Sequence, residues 1–415
     1  MAIACTNPLD YTQPNMKEHE MATRKTRIVC ISDTHNQTPK LPAGDILIHA
    51  GDLTNQGSYS EVKKTVDWLE KTDFEAKIVV AGMFTYARRS ILLDSQTHSN
   101  SGNHEIPLDA DFYYSTGINK FKWPTPQDPD ACRRLLLDSP SITYLENSSA
   151  TIYLTSPSGP RTCLEVFGSP SSPGQRGWAF QYWDDDNAAR LWSKIPEDAD
   201  LVVTHTPARG HVDRATKDEG SGCVKLKERL GVVRPMMHVC GHIHEGRGVE
   251  RVKWSQSPPS AVESVEYWTD PGAGNKKISL LDLTSRRGRG LENTSRALTR
   301  HVLPVALKER IVDQATDGQS EGPQSLEAFA LDDNEADGAL WRRKAGGALE
   351  RTGGLAGDGG CGEVDADMLA AYGKVETAMI NAAFLGARIV GKAMEFNKPV
   401  VVDIDLPVWR FPDAE

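Results

Sequence analysis

Four short apolar runs that read as buried strands, Arg27–Ile31, Ile46–His49, Leu201–Val203 and Met236–Val239, each lead at once into a short stretch carrying Asp or His. Strands that end together at one edge of an open α/β sheet deliver their next residues into a common crevice. This repeated order therefore constrains the fold more tightly than any composition figure. The stretches are Ser-Asp-Thr-His with Asp33 and His35, Ala-Gly-Asp with Asp52, Thr-His-Thr-Pro with His205, and Gly-His-Ile-His with His242 and His244. A fifth piece, Gly-Asn-His-Glu, carries Asn103. One Asp-x-His in 415 residues is noise. Five such pieces in this order predict a shared site able to hold two metal ions.

Oxygen and imidazole donors without thiolates suit Mn, Fe or Zn better than a structural zinc cage. A carboxylate shared between two ions holds them about 3.5–4 Å apart, and such a pair activates water and clamps a phosphoryl oxygen. Taken singly, each residue has an ordinary structural reading. Asp33 and Asp52 would serve as turn or N-cap residues, Asn103 after Gly102 as a turn pair, and any one histidine as an exposed or hydrogen-bonded ring. Joint occurrence favours the metal site. His49 alternates with apolar neighbours and reads as a core histidine, whereas His211, in the loop after His205, is a candidate substrate contact.

On these motifs the chain resembles the calcineurin-like metallophosphoesterase superfamily. Within it, Thr204–Asp213 (THTPARGHVD) and Gly241–Val249 (GHIHEGRGV) are similar to loops of the metallophosphoesterase-domain-containing proteins of animals and fungi. The resemblance covers roughly Lys25–Gly82, Gly102–Trp254 and Lys374–Trp409. It implies that Asp33, His35 and His244 bind one metal, that Asn103, His205 and His242 bind the other, and that Asp52 bridges. It also implies attack by a hydroxide held between the metals. His104 would then be the proton donor to the leaving group or a stabiliser of transition-state charge.

Departures from relatives narrow the substrate. Protein serine/threonine phosphatases carry Gly-Asp-x-Val-Asp-Arg-Gly at the second motif, where the arginine grips a phosphomonoester dianion. Here Gly51–Gly57 reads GDLTNQG, without that Asp or Arg. Purple acid phosphatases place a Tyr ligand three residues after the bridging Asp, and residue 55 is Asn. A diester carries a single negative charge and needs less cationic recognition. The expectation is a phosphodiesterase acting on a small or cyclic-nucleotide-like diester. A phosphomonoesterase, a nuclease and a metal-binding scaffold with weak turnover are the alternatives.

A formal net charge of −10 argues against general nucleic-acid affinity. Seven scattered cysteines without Cys-x-x-Cys spacing suggest reduced thiols and a cytoplasmic setting. Met1–Lys25 has no apolar signal-peptide core, and no apolar run approaches the length of a membrane span. The expected partners are a small phosphoester substrate and, as one reading of residues 255–373, a second protein.

Periodicity predicts helices over Glu61–Lys71, Asp130–Leu137, Asn187–Ile195 and Cys223–Leu230, the last ending at Gly231 as a C-terminal cap. Lys77–Ala81 reads as a strand, and Ile142–Leu145, Ala150–Leu154 and Cys163–Phe167 read as strands of a second sheet. Val375–Phe384 and Pro399–Leu406 read as terminal strands. This alternation implies the α/β class and a four-layer α/β/β/α sandwich. Trp178, Phe180, Tyr182 and Trp183 read as packing residues in a loop. The expected domain is 25–254 plus 374–410, after a flexible N-terminus at 1–24.

Two segments interrupt that domain. Met83–Gly102 separates a strand from Asn103, where relatives pass almost directly into Gly-Asn-His-Glu. Glycine at both junctions fits a retained intron as well as a surface loop. From about Ser255 to Gly373 the composition turns to Ser, Pro, Gly, Asp and Glu, with too little apolar surface to offset ordering entropy. Residues 255–373 are therefore expected to be a largely disordered, low-complexity insertion, in which Ile278–Leu283 reads as a strand and Leu298–Ala315 as a helix.

Overall fold

The computed structural model describes residues 22–82, 104–119, 123–174, 177–214, 220–256, 260–270, 279–285, 290–291, 340–343, 349–352, 374–386, 391 and 393–409. Asn103, the segment 83–102 and the helix expected over Leu298–Ala315 lie outside these residues.

In chain order the strands are β1 Thr23–Ile31, β2 Ile46–Ala50, β3 Ala76–Val80, β4 Ile142–Tyr144, β5 Ser148–Tyr153, β6 Cys163–Ser169, β7 Ser172–Pro173, β8 Gln181–Tyr182 and β9 Leu201–Thr204. They continue as β10 Met237–Cys240, β11 Gly248–Trp254, β12 Val262–Tyr267, β13 Ser279–Leu283, β14 Leu340–Arg343, β15 Leu349–Thr352, β16 Glu376–Asn381 and β17 Val400–Pro407. The helices are α1 Tyr59–Glu70, α2 Ala110–Ser115, α3 Pro129–Leu137, α4 Asp185–Trp192 and α5 Val224–Val233.

Two sheets carry the fold, in the orders β13-β17-β1-β2-β3-β4 and β12-β11-β16-β10-β9-β6-β5-β15-β14, and β7 pairs with β8 in a small separate ladder. Strands β1 to β4 pair in parallel, as do β6, β9, β10 and β16. The period of two in each strand sorts its side chains into layers. Ile28 and Cys30 join the cluster between the sheets with Val166, Val203 and Val239, while Val29 and Ile31 face the helices α1 and α3 through Val66, Leu69 and Leu136. On the second sheet Phe167, Val202 and Cys240 pack outward on Trp192 of α4 and Leu226 and Leu230 of α5. The result is the expected α/β/β/α sandwich.

Two local expectations need correction. β4 stays in the first sheet, parallel to β3, with Leu145 N–H donating to Val79 O at 2.9 Å. The chain crosses to the second sheet only after that bond. Helix α5 runs through Gly231 to Val233, and Arg234 takes the left-handed cap at φ 49°. Gly231 serves close packing instead, because a Cβ there would lie 2.6 Å from Ser260 Cα.

The stretch from 255 to 373 leaves and re-enters at one point. β11 and β16 pair antiparallel with Lys253 opposite Glu376, and Trp254 N–H donates to Val375 O at 2.9 Å. The buried Arg234 guanidinium spans this root, donating to Ser255 O at 2.5 Å and to Lys374 O at 3.3 Å. Parts of the stretch are built into the sheets: β12 beside β11, β13 beside β17, and the β14–β15 hairpin beside β5. Ser279–Leu283 matches the strand expected at 278–283, with Leu281 and Leu283 buried in the inter-sheet core.

Arg234→Ala should lower unfolding free energy by about 2–3 kcal/mol, since it removes a charged donor and leaves buried carbonyls unpaired. The shift in urea midpoint at constant slope is the measurement, and an unchanged midpoint would refute the role of Arg234 at the root.

Candidate metal centre

β1 and β2 of one sheet and β9 and β10 of the other end at the same edge, and the loops that follow meet there. Asp33 N–H donates to Gly51 O at 2.8 Å and His35 N–H to Asp52 O at 3.0 Å, which locks the first motif onto the second. Across the sheets, His205 Nδ1 sits 2.9 Å from Ala50 O, and His242 N–H points at both Asp33 carboxylate oxygens at 3.1 Å. The turns are tight. Asp33, His35, Asp52 and His242 all adopt left-handed backbone, with φ between 45° and 68°. Such conformations in non-glycine residues are costly and gather where the surroundings over-determine them. Gly241 and Gly82 make room: a Cβ at Gly241 would lie 2.2 Å from Asp33 Oδ2, and one at Gly82 2.6 Å from Asp52 Oδ1.

Three overlapping triads offer ligand atoms within 4.8 Å of one another: Asp33, His35 and His244; His35, Asp52 and His104; Asp33, Asp52 and His205. His244 Nε2 lies 3.3 Å from Asp33 Oδ1, and His205 Nε2 lies 3.3 Å from Asp52 Oδ1. On the other side of Asp52, His35 Nε2 and His104 Nε2 stand 3.7 and 3.8 Å from Oδ2. Six of the sequence-predicted residues, His104 included, thus converge. His242 lies outside the triads, with its ring 4.9 Å from that of His205.

Both Asp52 oxygens are buried and, among the described residues, meet only imidazoles, His205 at 3.3 Å and His35 and His104 at 3.7 and 3.8 Å. An ionised carboxylate left so is expensive, and a ring of imidazoles around it is the donor set of a metal centre. The residues present therefore fit divalent ions. Charge is tuned to match. Burial alone would lift the Asp33 carboxyl, but His244 and His205 hold it at about 2. Burial would likewise raise Asp52, yet His104 and His205 draw it well below the usual carboxylate range. Burial and the neighbouring His104 push His35 down to about 3, and burial lowers His104 as well. His205 goes the other way: against its burial, Asp52 and Asp33 raise it to about 10. Asp33 likewise raises His244, despite burial.

Two supporting residues carry no clear mark in the sequence. Glu105, fully buried, accepts from Thr54 N–H at 2.7 Å, from Thr54 Oγ1 at 2.8 Å and from Gly82 N–H at 2.9 Å. It ties the Asp52 loop to the end of β3, although burial and Asp52 push its own carboxyl up to about 8. Asn381, also fully buried, bonds to loops that carry His205 and His242. Glu105 stands inside Gly-Asn-His-Glu, and that position is the signal that could single it out. Asn381 carries one weak sequence signal, an amide closing an otherwise mostly apolar strand.

Other candidates resolve as structural. His49 bonds through Nε2 to Thr34 Oγ1 at 2.9 Å, inside the first sheet. His211, a candidate substrate contact in the sequence, is buried with Nδ1 3.0 Å from Glu250 Oε2 and its ring edge-on to Trp254. It braces its loop instead. Phe180 and Tyr182 pack in the core, whereas Trp183 is about half exposed.

Fold and site together define a calcineurin-like phosphoesterase domain whose strand-end crevice holds Asp/His clusters able to take a metal ion. The model of the calcineurin-like phosphoesterase family matches residues 26–246, and this chain belongs to that family. Among its relatives, Metallophosphoesterase domain-containing protein 1 of Homo sapiens is 35% identical over 237 residues, covering 54% of this chain and 62% of that protein. A UPF0046 protein of Caenorhabditis elegans is 31% identical over 225 residues, with 54% and 65% covered. A 39% identical match over 230 residues is to a protein of Emericella nidulans named "Probable rhamnogalacturonate lyase C", covering 55% of this chain and 18% of that protein. The chain thus spans less than two thirds of each of these relatives.

A proton held on His205 at about 10 must leave before its Nε2 can bind a metal. Because the raised pKa means protonation at neutral pH, metal binding releases protons and affinity rises with pH, by about tenfold per unit for each proton displaced. Mn titration calorimetry at pH 6.5 and 8.0, in buffers of different ionisation enthalpy, measures both. A pH-independent affinity would refute the proton on His205 in the metal-free site.

Proposed function

We propose that this protein is a dinuclear-metal phosphodiesterase acting on a small or cyclic-nucleotide-like diester. The observation that carries the reading is Asp52, a fully buried carboxylate that meets only imidazoles, His205 on one side and His35 and His104 on the other. Asp33, His35 and His244 would hold one ion; His205, His242 and Asn103 the other; Asp52 stands between. Bound divalent ions, Mn or Fe/Zn, supply Lewis acidity and water of lowered pKa.

The protein's own contributions follow from its side chains. Asp52 and Asp33, both held ionised, supply the negative charge that attracts cations to the site. His104 is the proposed proton donor: Nε2 is its nitrogen toward Asp52, and a proton there can pass to the departing oxygen. Residues 51–57 support a diester over a monoester. Thr54 spends its hydroxyl and N–H on Glu105, Asn55 is exposed, and the loop carries no guanidinium to grip a dianion.

A cytoplasmic setting belongs to the same proposal, supported by five free, buried cysteines among the described residues. Among those residues no helix is long and apolar enough to cross a membrane. Residues 255–373 are proposed as an insertion open to a protein partner, and nucleic acid is not the proposed substrate.

One observation favours a scaffold with weak turnover as the second reading. Gly82, where the chain departs toward residue 103, packs against Asp52 and His205. Any displacement of that loop acts directly on the centre, and deleting Met83–Gly102 joins Gly82 to Asn103. If the loop impairs the site, the deletion raises metal content and rate; equal values in both proteins would sink the idea.

The reading itself is tested with bis-p-nitrophenyl phosphate against p-nitrophenyl phosphate in Mn-supplemented buffer. The diester should turn over faster, and Asp52→Asn should lose more than about a hundredfold, since even partners behind a ligand are worth 10–100-fold. Preference for the monoester would reverse the substrate assignment. Bound metal without turnover of either ester would leave the scaffold.

A further inference from the structure

We propose that Asn381 is a positioning residue that sets the two ligand-bearing loops of the second sheet; its effect on metal affinity rests on the dinuclear reading above. Asn381 closes β16, where it lies opposite Cys240 of β10 and Gly248 of β11. It therefore stands at the sheet edge from which His242 and His244 emerge, one strand away. The residues before it, Ala378, Met379 and Ile380, are buried apolar side chains. An amide at the next position calls for an explanation in hydrogen bonds.

Those bonds are fully accounted for. Asn381 Nδ2 donates to Val212 O at 3.0 Å and to Ile243 O at 2.9 Å, with Gly241 O at 3.4 Å. Its Oδ1 accepts from Ala383 N–H at 3.1 Å. Gly241 and Ile243 flank His242, and Val212 belongs to the loop that follows His205. The adjoining residues reach the first motif as well, since Ser32 N–H donates to Ala382 O at 3.0 Å and Phe384 N–H to Ser32 O at 2.8 Å. One side chain and its neighbouring backbone thus tie together three ligand motifs.

The loops need such a tie. Val212 is β-branched and sits at φ 45°, and His242 sits at φ 68°, conformations that persist only where contacts enforce them. The space around the amide is closed, because a Cβ on Gly246 would come within 2.3 Å of Val212 O and 3.1 Å of Asn381 Nδ2. Water has little room to substitute. Among neutral side chains of this size, only an amide offers two donors and an acceptor together. A leucine would strand two carbonyls, and an aspartate would turn an oxygen toward them.

The test compares Asn381→Ala and the isosteric Asn381→Asp with Asn397→Ala. Asn397 donates to Ala383 O at 3.0 Å in the same segment and has no bond to a ligand loop. Hydrogen–deuterium exchange over residues 205–214 and 241–247 is followed in the metal-free full-length chain, and Mn affinity by calorimetry. Both Asn381 variants should speed exchange in the two loops and weaken Mn binding roughly ten- to hundredfold. At saturating Mn, KM for bis-p-nitrophenyl phosphate should stay within about threefold of wild type, as expected when substrate contacts are intact. Asn397→Ala should leave the loops and Mn affinity unchanged. Unaltered loop exchange in Asn381→Asp, or an equal rise in Asn397→Ala, would overturn the proposal. Failure of the wild-type chain to bind Mn, Fe or Zn would overturn the dinuclear reading instead, and the exchange comparison would still decide the role of Asn381.

Discussion

The functional edge depends on one unfavourable burial. Asp52 holds its charge away from water, and its oxygens meet only imidazoles at 3.3 to 3.8 Å. Burying a carboxylate with so few partners costs far more than a single surface contact returns. A proton on His205 offsets part of that cost, and divalent cations held between the same groups would offset more. Folding of this edge and metal binding are therefore linked free energies. The site draws on both sheets. Asp52 follows a strand of the first and His205 a strand of the second, with His205 Nδ1 tied back to Ala50 O.

Such a cluster needs a rigid surround, because ligand positions must hold to within about half an ångström. Glu105 braces the first sheet's side through Thr54 and Gly82, and Thr54 O in turn lies 3.3 Å from His35 Nδ1. On the other sheet a buried amide does the corresponding work through Val212 and Ile243. Helix α1 adds a third brace: Asn36, next to His35, donates to Glu61 at 2.6 Å, while Glu61 also caps the helix through Ser58 N–H at 3.1 Å. Backbone carbonyls and amides, more than side-chain pairs, set the geometry.

What can be read in the sequence divides along the same line. Ligand motifs are legible because each is short, polar and set against an apolar run, so Asp33, His35, Asp52, His205 and His244 stand out in the chain itself. His104 is marked by its place beside Asn103. Partnerships through backbone atoms leave little sequence pattern, which is why Asn381 is inconspicuous inside a strand and Glu105 blends into its motif. Sheet membership is equally hidden for β4, whose three residues suit either sheet and are assigned by the Leu145–Val79 bond. Gly231 misleads for a related reason: glycine at a helix end signals a cap, but here its missing side chain admits Ser260, and the cap falls to Arg234.

The two segments proposed as insertions leave the described structure at very different distances from Asp52. Residues 256–373 leave from a hairpin whose stem is held by Trp254, Val375 and Arg234, away from the metal-facing edge. Closing a longer loop there costs only a slowly growing entropy, and strands β12 and β13 return some of it by extending both sheets. The segment after Gly82 has no such separation. Gly82, its root, packs against Asp52 and His205 and donates to Glu105, so an insertion there would bear on the distances that define the centre. Length is the lesser quantity in both cases. The position of the root relative to the buried carboxylate decides whether an insertion concerns stability alone or the chemistry as well.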